Sequence, residues 1–570
     1  MIFFLPSLFT YLRKVNANLV KLKIRDEIPK DVSKKVFAIT IILIIGITPL
    51  STQEEVSTEI GTIIYDFIVN SQGDAQIKIE IDIPKKAGAT WLYLPNNITW
   101  KMSIERGTII NSKEVTTNYV FYNNYSFHFK GPLKVKINYY FTYASLIGHK
   151  SAFFMSPLVY FDKKLRGLVR VYLPAYVNIL ETYPEISSKK IEGKHLILSY
   201  TPRATSLRIM IHYTINETQL TKVNGKIEYS NTTIEVSIIT HPRYTSIADR
   251  IVKTYQKAYP ILRKVFHVDL SNITVRFKAP SLEDVSIMGY VPLRAKKLGD
   301  IYLNILWIRT KKGFFEQIAL HELVHHFLWR AGVNPYTLLW FHEGCADYFS
   351  IYLCLYYFNL SGAIYRHEDL MEKAKEYLSN SKKIGFIQYW SVWKKPSNIF
   401  LYYALSYYVV LTLGKKYGNF TYYSKVFEVI VSKGEMSTNE ELIDALSEAA
   451  EEDLTNLFIE WGFRISKIKI HYSTILKKFK MDKIVTSPNY PYASKFIELS
   501  KKAFYSGELI QFLYFMVLAA IVAYPGAIVV AALIILAVYF SVKVTESYER
   551  SPKKLEKTPG SQDNRAFSQI

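Results

Sequence analysis

The chain has 570 residues, 49% hydrophobic and 15% aromatic, with only two cysteines. This composition excludes a disordered chain and a disulfide scaffold, and the length allows three or more domains with ample core. The formal net charge of +22 comes with no nucleic-acid fingerprint, so it reads as surface character and nucleic acid is not an expected partner.

Residues 13–35 carry eight Lys/Arg against three Asp/Glu and precede the apolar run Val36–Ile47. Residues 1–52 are therefore expected to be a basic leader with a signal sequence or signal anchor. Residues 53–220 hold short alternating stretches, among them 77–83, 133–139 and 206–211, which predict a β-rich domain of sandwich type. Residues 221–355 mix strand and helix patterns and are expected to form a domain of their own. Within them Ile301 to Ile308 reads as a strand from its β-branched and aromatic content, and Phe314 to Arg330 as a helix from its apolar spacing. That helix opens after Gly313 and stops before Gly332 and Pro335.

A second helical pattern begins near Trp340 and runs through Leu353. Cys345 and Cys354 fall nine apart in it, about 13 Å along a helix axis and too far for a disulfide. Residues 356–475 read as a helical domain and 476–508 as a linker. Leu509 to Val542 has no charged residue, which predicts a transmembrane segment, kinked at Tyr524-Pro525-Gly526, with a hairpin of two short passes as the alternative. The basic tail, 543–570, is then cytoplasmic. Seven Asn-x-Ser/Thr sequons (Asn97, Asn124, Asn216, Asn231, Asn272, Asn359, Asn419) lie between the two apolar segments and agree with an external, glycosylated domain. The expected fold class is thus multidomain α+β with a C-terminal transmembrane helix, anchored in the cell membrane and touching its lipid, with residues 53–508 outside.

The residues that carry chemistry are His321-Glu322-Leu323-Val324-His325 and, further on, Glu343. Residues four apart share a helix face, so His321 and His325 can offer two imidazoles to one metal ion. Glu322 is placed to reach a water as catalytic base, and Glu343 returns from the second helix as third ligand. Three ligands with an open position describe a catalytic zinc site, whereas a structural zinc is closed by a fourth ligand. His326 points off the ligand face, and His342, about a hundred degrees round from Glu343, is not counted as a ligand.

The strings HELVHHF and WFHEGCADY resemble the two ligand helices of the gluzincin zinc peptidases, particularly the aminopeptidase N-type family. Seventeen residues separate His325 from Glu343, one fewer than is usual there. The resemblance implies a saddle-like N-terminal β-domain, a thermolysin-like catalytic domain, one zinc ion and a peptide or protein substrate. It also implies that Asp347 hydrogen-bonds the ligand His321 from outside the ligand shell, and that Tyr402, with Tyr403 as substitute, donates to the oxyanion. The family's Gly-x-Met-Glu-Asn motif, whose Glu captures a free amine, is absent. The corresponding region reads Leu298-Gly299-Asp300-Ile301-Tyr302-Leu303-Asn304-Ile305, with Asp300 as the one acidic stand-in. Peptidase chemistry is therefore better supported than aminopeptidase specificity. The alternative is a cell-surface binding module that kept the fold and lost turnover, and the oligomeric state stays open.

Overall fold

Alternation dictates the first region. In Thr62–Val69 and Ala75–Ile83 every second side chain is buried, from Ile63, Tyr65 and Phe67 to Ile77, Ile79 and Ile81. A slip of one residue would turn that whole set to solvent, so the antiparallel register, Ile63 opposite Ile81, is strongly specified. The computed structural model describes residues 60–202, 206–230, 232–294, 297–465, 490–505 and 509–523. The signal segment and the basic tail expected from the sequence lie outside them. The first strands belong to an eight-stranded sheet that runs Ser188–Glu192, His195–Tyr200, Arg166–Pro174, Thr62–Val69, Ala75–Ile83, Tyr122–Phe141, Ala87–Pro95, with Trp100–Thr116 also paired to Tyr122–Phe141. A four-stranded sheet shares its apolar cluster, where Phe154 and Ile211 meet Phe67 and Ile137, giving a two-layer β-domain.

A five-stranded sheet follows, in the order Thr221–Tyr229, Thr232–Thr240, Ile273–Lys278, Ile301–Asn304, Gly289–Tyr290. Its three inner strands are parallel and the last is an antiparallel edge. Helix α1 (Thr245–Phe266) makes the crossover between two of the parallel strands. The strand expected over Ile301 to Ile308 stops at Asn304, because the Asn304 side chain accepts from the Leu306 backbone N–H at 2.9 Å and starts a 3-10 turn, Ile305–Arg309. Gly289–Tyr290 pairs outside that strand and forms the edge of the sheet. Then come α2 (Phe314–Arg330), α3 (Leu339–Tyr352), α4 (Ile364–Leu378) and α5 (Ile399–Tyr417).

The chain divides into two compact units, one of Met1–Leu442 with Phe458–Arg464, the other of Ile443–Leu457 with Ile465–Ile570. In the second unit the start of the predicted membrane segment is a 15-residue helix, Leu509–Ala523. Phe512, Met516, Ala519 and Ala520 form one face, buried in a cluster with Ala493 and Ala503 of the helix Tyr490–Tyr505. Among the described residues no helix is long and apolar enough to cross a membrane. The expected C-terminal transmembrane helix, and the membrane-anchored placement that rested on it, are therefore corrected: the apolar face of this helix is used up in helix packing. The rest of the predicted segment, 524–542, lies outside the described residues.

Candidate metal centre

Four polar contacts fix the pitch and rotation of α2. Glu316 reaches back to the Gly313 N–H at 2.9 Å and pairs with Arg250 of α1 at 3.0 Å. Tyr255 of α1 donates to the Ala319 carbonyl at 2.8 Å, and Gln317 donates to Ser350 of α3 at 2.9 Å. Helix α3 approaches α5 closely because Gly344 has no side chain: a Cβ there would sit 2.6 Å from the Ser406 carbonyl oxygen.

This packing brings three donor atoms together. His321 Nε2 lies 3.2 Å from both Glu343 Oε2 and His325 Nε2, and the remaining side, His325 Nε2 to Glu343 Oε2, is 3.7 Å. A circle through three points so spaced has a radius of about 2 Å, the length of a zinc–nitrogen or zinc–oxygen bond. These three side chains would be the ones to hold such an ion. The residues therefore fit a catalytic metal, and no other group of three such side chains with metal-ligand spacing is found among the described residues.

The electrostatics agree. Burial opposes a charge on His321, yet Asp347 and Glu343 outweigh it and push the imidazole up to about 10. Two carboxylates compete there for one cation, which a divalent ion supplies better than a proton. Burial, then His321 and His342, hold His325 well below the usual histidine range, so it stays neutral and ready to ligate. Glu322 is pushed up to about 8, first by burial and then by Glu343 and Asp347, against the opposing pull of His321.

Asp347 accepts from His321 Nδ1 at 3.2 Å, which leaves Nε2 as the nitrogen turned toward Glu343 and His325. Asp347 is itself gripped by Arg366 of α4, through Nε at 3.0 Å and Nη2 at 2.8 Å. Burial would raise this carboxyl, but Arg366 and His321 bring it down to about 2. His342 performs the same service for His325. Its Nε2–H donates to the Val333 carbonyl at 2.8 Å, a group that can only accept. His342 Nδ1 is therefore an acceptor, 3.3 Å from His325 Nδ1, and His325 Nε2 is left as the nitrogen turned toward His321 and Glu343. Sequence reasoning set His342 aside because it cannot ligate, which was too narrow a question. Nothing local marks Arg366, which lies 19 residues from Asp347.

Of the two candidate tyrosines, Tyr402 packs edge-on against Phe386 and Trp390. Tyr403 lies under the Arg366 guanidinium, 5.4 Å from ring centroid to Cζ. Burial raises its hydroxyl well above the usual phenol range, with Glu343 the next largest cause. Tyr403, the substitute in the sequence reading, is the one of the two whose hydroxyl is raised by Glu343, Asp347 and Glu322. Gly289, on the edge strand, closes the other side: a Cβ there would come within 2.7 Å of Glu322 Oε1. Asp300 pairs with Arg276 at 2.6 Å and is not a free amine anchor. Cys345 and Cys354 are both buried free thiols.

No family model and no curated protein matches this chain. Among solved structures, it is similar to an aminopeptidase N family protein from Idiomarina loihiensis, at 13% identity over 73% of this chain and 78% of that one, with a TM-score of 0.32.

Proposed function

We propose that this chain is a zinc metallopeptidase that hydrolyses peptide bonds in a peptide or protein substrate. The observation that carries the reading is the convergence of His321 Nε2, His325 Nε2 and Glu343 Oε2 at bond-length distance from one point, with the buried carboxyl of Glu322 on the same turn of helix.

Zinc, when bound, supplies a Lewis acid that polarises a carbonyl and acidifies water. The chain's own groups do the rest. Glu322 takes a proton from the attacking water and hands it to the leaving amine, a role suited to a carboxyl whose affinity for protons burial has raised. Tyr403 donates its phenol hydrogen to the oxygen on which negative charge develops. Asp347 and His342 hold the two imidazoles in the tautomers that direct Nε2 inward, and Arg366 keeps Asp347 ionised. Gly289 leaves Glu322 the space to swing between water and amine. Since Asp300 is occupied by Arg276, internal peptide bonds suit this centre as well as terminal ones do.

The test is metal analysis of the purified protein together with digestion of a peptide library. One zinc per chain and chelator-sensitive cleavage are expected. A protein that binds no zinc, or that cleaves equally well after chelation, would remove the reading.

A further inference from the structure

A second, partly buried charge cluster lies away from His321, His325 and Glu343, where the β-domain meets the turn that leads into α2. Arg309 ends that turn. The face of its guanidinium packs on the Phe141 ring, 4.7 Å from the centroid, so only the in-plane N–H edge can bind anything. On that edge Nη1 is sealed from solvent and has no hydrogen-bond partner among the described residues.

The charged neighbour it feels is another arginine. Burial first, and then Arg208, bring Arg309 down to about 9. Arginine does not give up its proton in proteins, so this cost is met by a counter-ion rather than by neutralisation. Arg208 comes from the β-domain, where its Nη1 donates to the Ser156 carbonyl at 3.0 Å and its Cζ lies 5.6 Å from the Tyr122 ring centroid. The Tyr122 oxygen accepts from the Leu158 N–H at 3.0 Å, which leaves the phenol hydrogen available to donate outward. Among the charged and phenolic groups that act on Arg309, none is a carboxylate.

We infer that Arg309, Arg208 and Tyr122 form a binding site for a small monovalent anion, a halide or a carboxylate, that ties the β-domain to the turn preceding the metal-binding helix. The three groups come from both sides of that junction: Tyr122 and Arg208 from the sandwich, Arg309 from the chain that continues into α2. An anion there satisfies the Nη1 hydrogen and offsets the repulsion between the two guanidinium groups. It would therefore stabilise the first unit without touching the reacting groups.

Crystals of the full chain soaked in sodium bromide, and unfolding midpoints in bromide against gluconate at constant ionic strength, test the site. An anomalous bromide peak is expected within hydrogen-bond distance of Arg309 Nη1. The midpoint should rise with bromide by on the order of 1 °C per tenfold concentration, and Arg309→Met should lose that rise. Arg309→Lys, which keeps a charge, replaces Arg309→Met if the latter does not fold, and should weaken the dependence. Displacement of the bromide by acetate assigns the site to carboxylates, and resistance to acetate assigns it to halides. No peak at Arg309, a peak with a midpoint indifferent to bromide, or the same rise in the Arg309 variant overturns the proposal.

Discussion

Around His321 the buried charge is acidic, with Glu322, Glu343 and Asp347 gathered about two imidazoles, whereas around Arg309 it is basic, with a second arginine as the neighbouring charge. Each cluster costs free energy as bare protein, because low-dielectric surroundings punish like charges. They differ in what the protein supplies to offset that cost. At the metal centre one buried arginine, Arg366, neutralises the outermost acid, Asp347, and leaves the inner donors to an ion. At Arg309 no carboxylate acts among the described residues, and on the proposal above the imbalance falls to a ligand. On the two proposals, the first cluster places a cation for chemistry and the second ties two pieces of chain together.

Removing an inner donor should break the first cluster most severely. Glu343→Ala deletes one of three converging atoms, so zinc and hydrolysis should both be lost, as metal analysis beside a peptide assay will show. Full zinc occupancy in this variant would mean that the convergence is not a metal site. A smaller effect, confined to turnover, is expected from Glu322→Gln. The shape is kept and the base removed, so zinc should remain while hydrolysis falls by about 10²–10⁴-fold. Near-normal turnover in that variant would take the base role from Glu322.

The two tyrosines sharpen the same point. Tyr403→Phe should lower turnover by about a hundredfold, in the range of a lost oxyanion donor, while Tyr402→Phe should change it little. The reverse result would restore Tyr402, the first choice from sequence.

That pair also shows what the sequence makes legible. His321, Glu322, His325, Glu343 and Asp347 could be found because their relations are local: four residues along a helix, one residue round, or a short loop between two helices. Choosing between Tyr402 and Tyr403 requires the rotation of α5 about its axis, since adjacent helical residues face about a hundred degrees apart. That rotation is set where α5 meets Gly344 on another helix. Arg366, His342 and Gly289 act through contacts 17 to 33 residues away in the chain, and composition carries no trace of them. The strand over Ile301 to Ile308 went astray at one side chain, Asn304, whose amide turned the chain into a 3-10 helix. The membrane expectation failed for another reason. An apolar run says that a surface wants burial but does not say against what, and in Leu509–Ala523 the partner is the neighbouring helix.

The smallest expected effect is also the one that divides the two clusters most cleanly. Arg366→Met and Arg309→Met each replace a buried guanidinium by an apolar side chain of similar length. In the first, Asp347 keeps its charge without its partner, and stranding one member of a buried pair costs about 3–5 kcal/mol. In the second, no partner is stranded, and repulsion with Arg208 is relieved. In gluconate, without a small anion, Arg309→Met should therefore unfold at or slightly above the wild-type midpoint, while Arg366→Met unfolds well below it. Adding bromide should then raise the wild type and leave Arg309→Met where it was. Equal losses from the two substitutions in gluconate would mean that Arg309 is already balanced from within the chain, and the contrast between the clusters would fall.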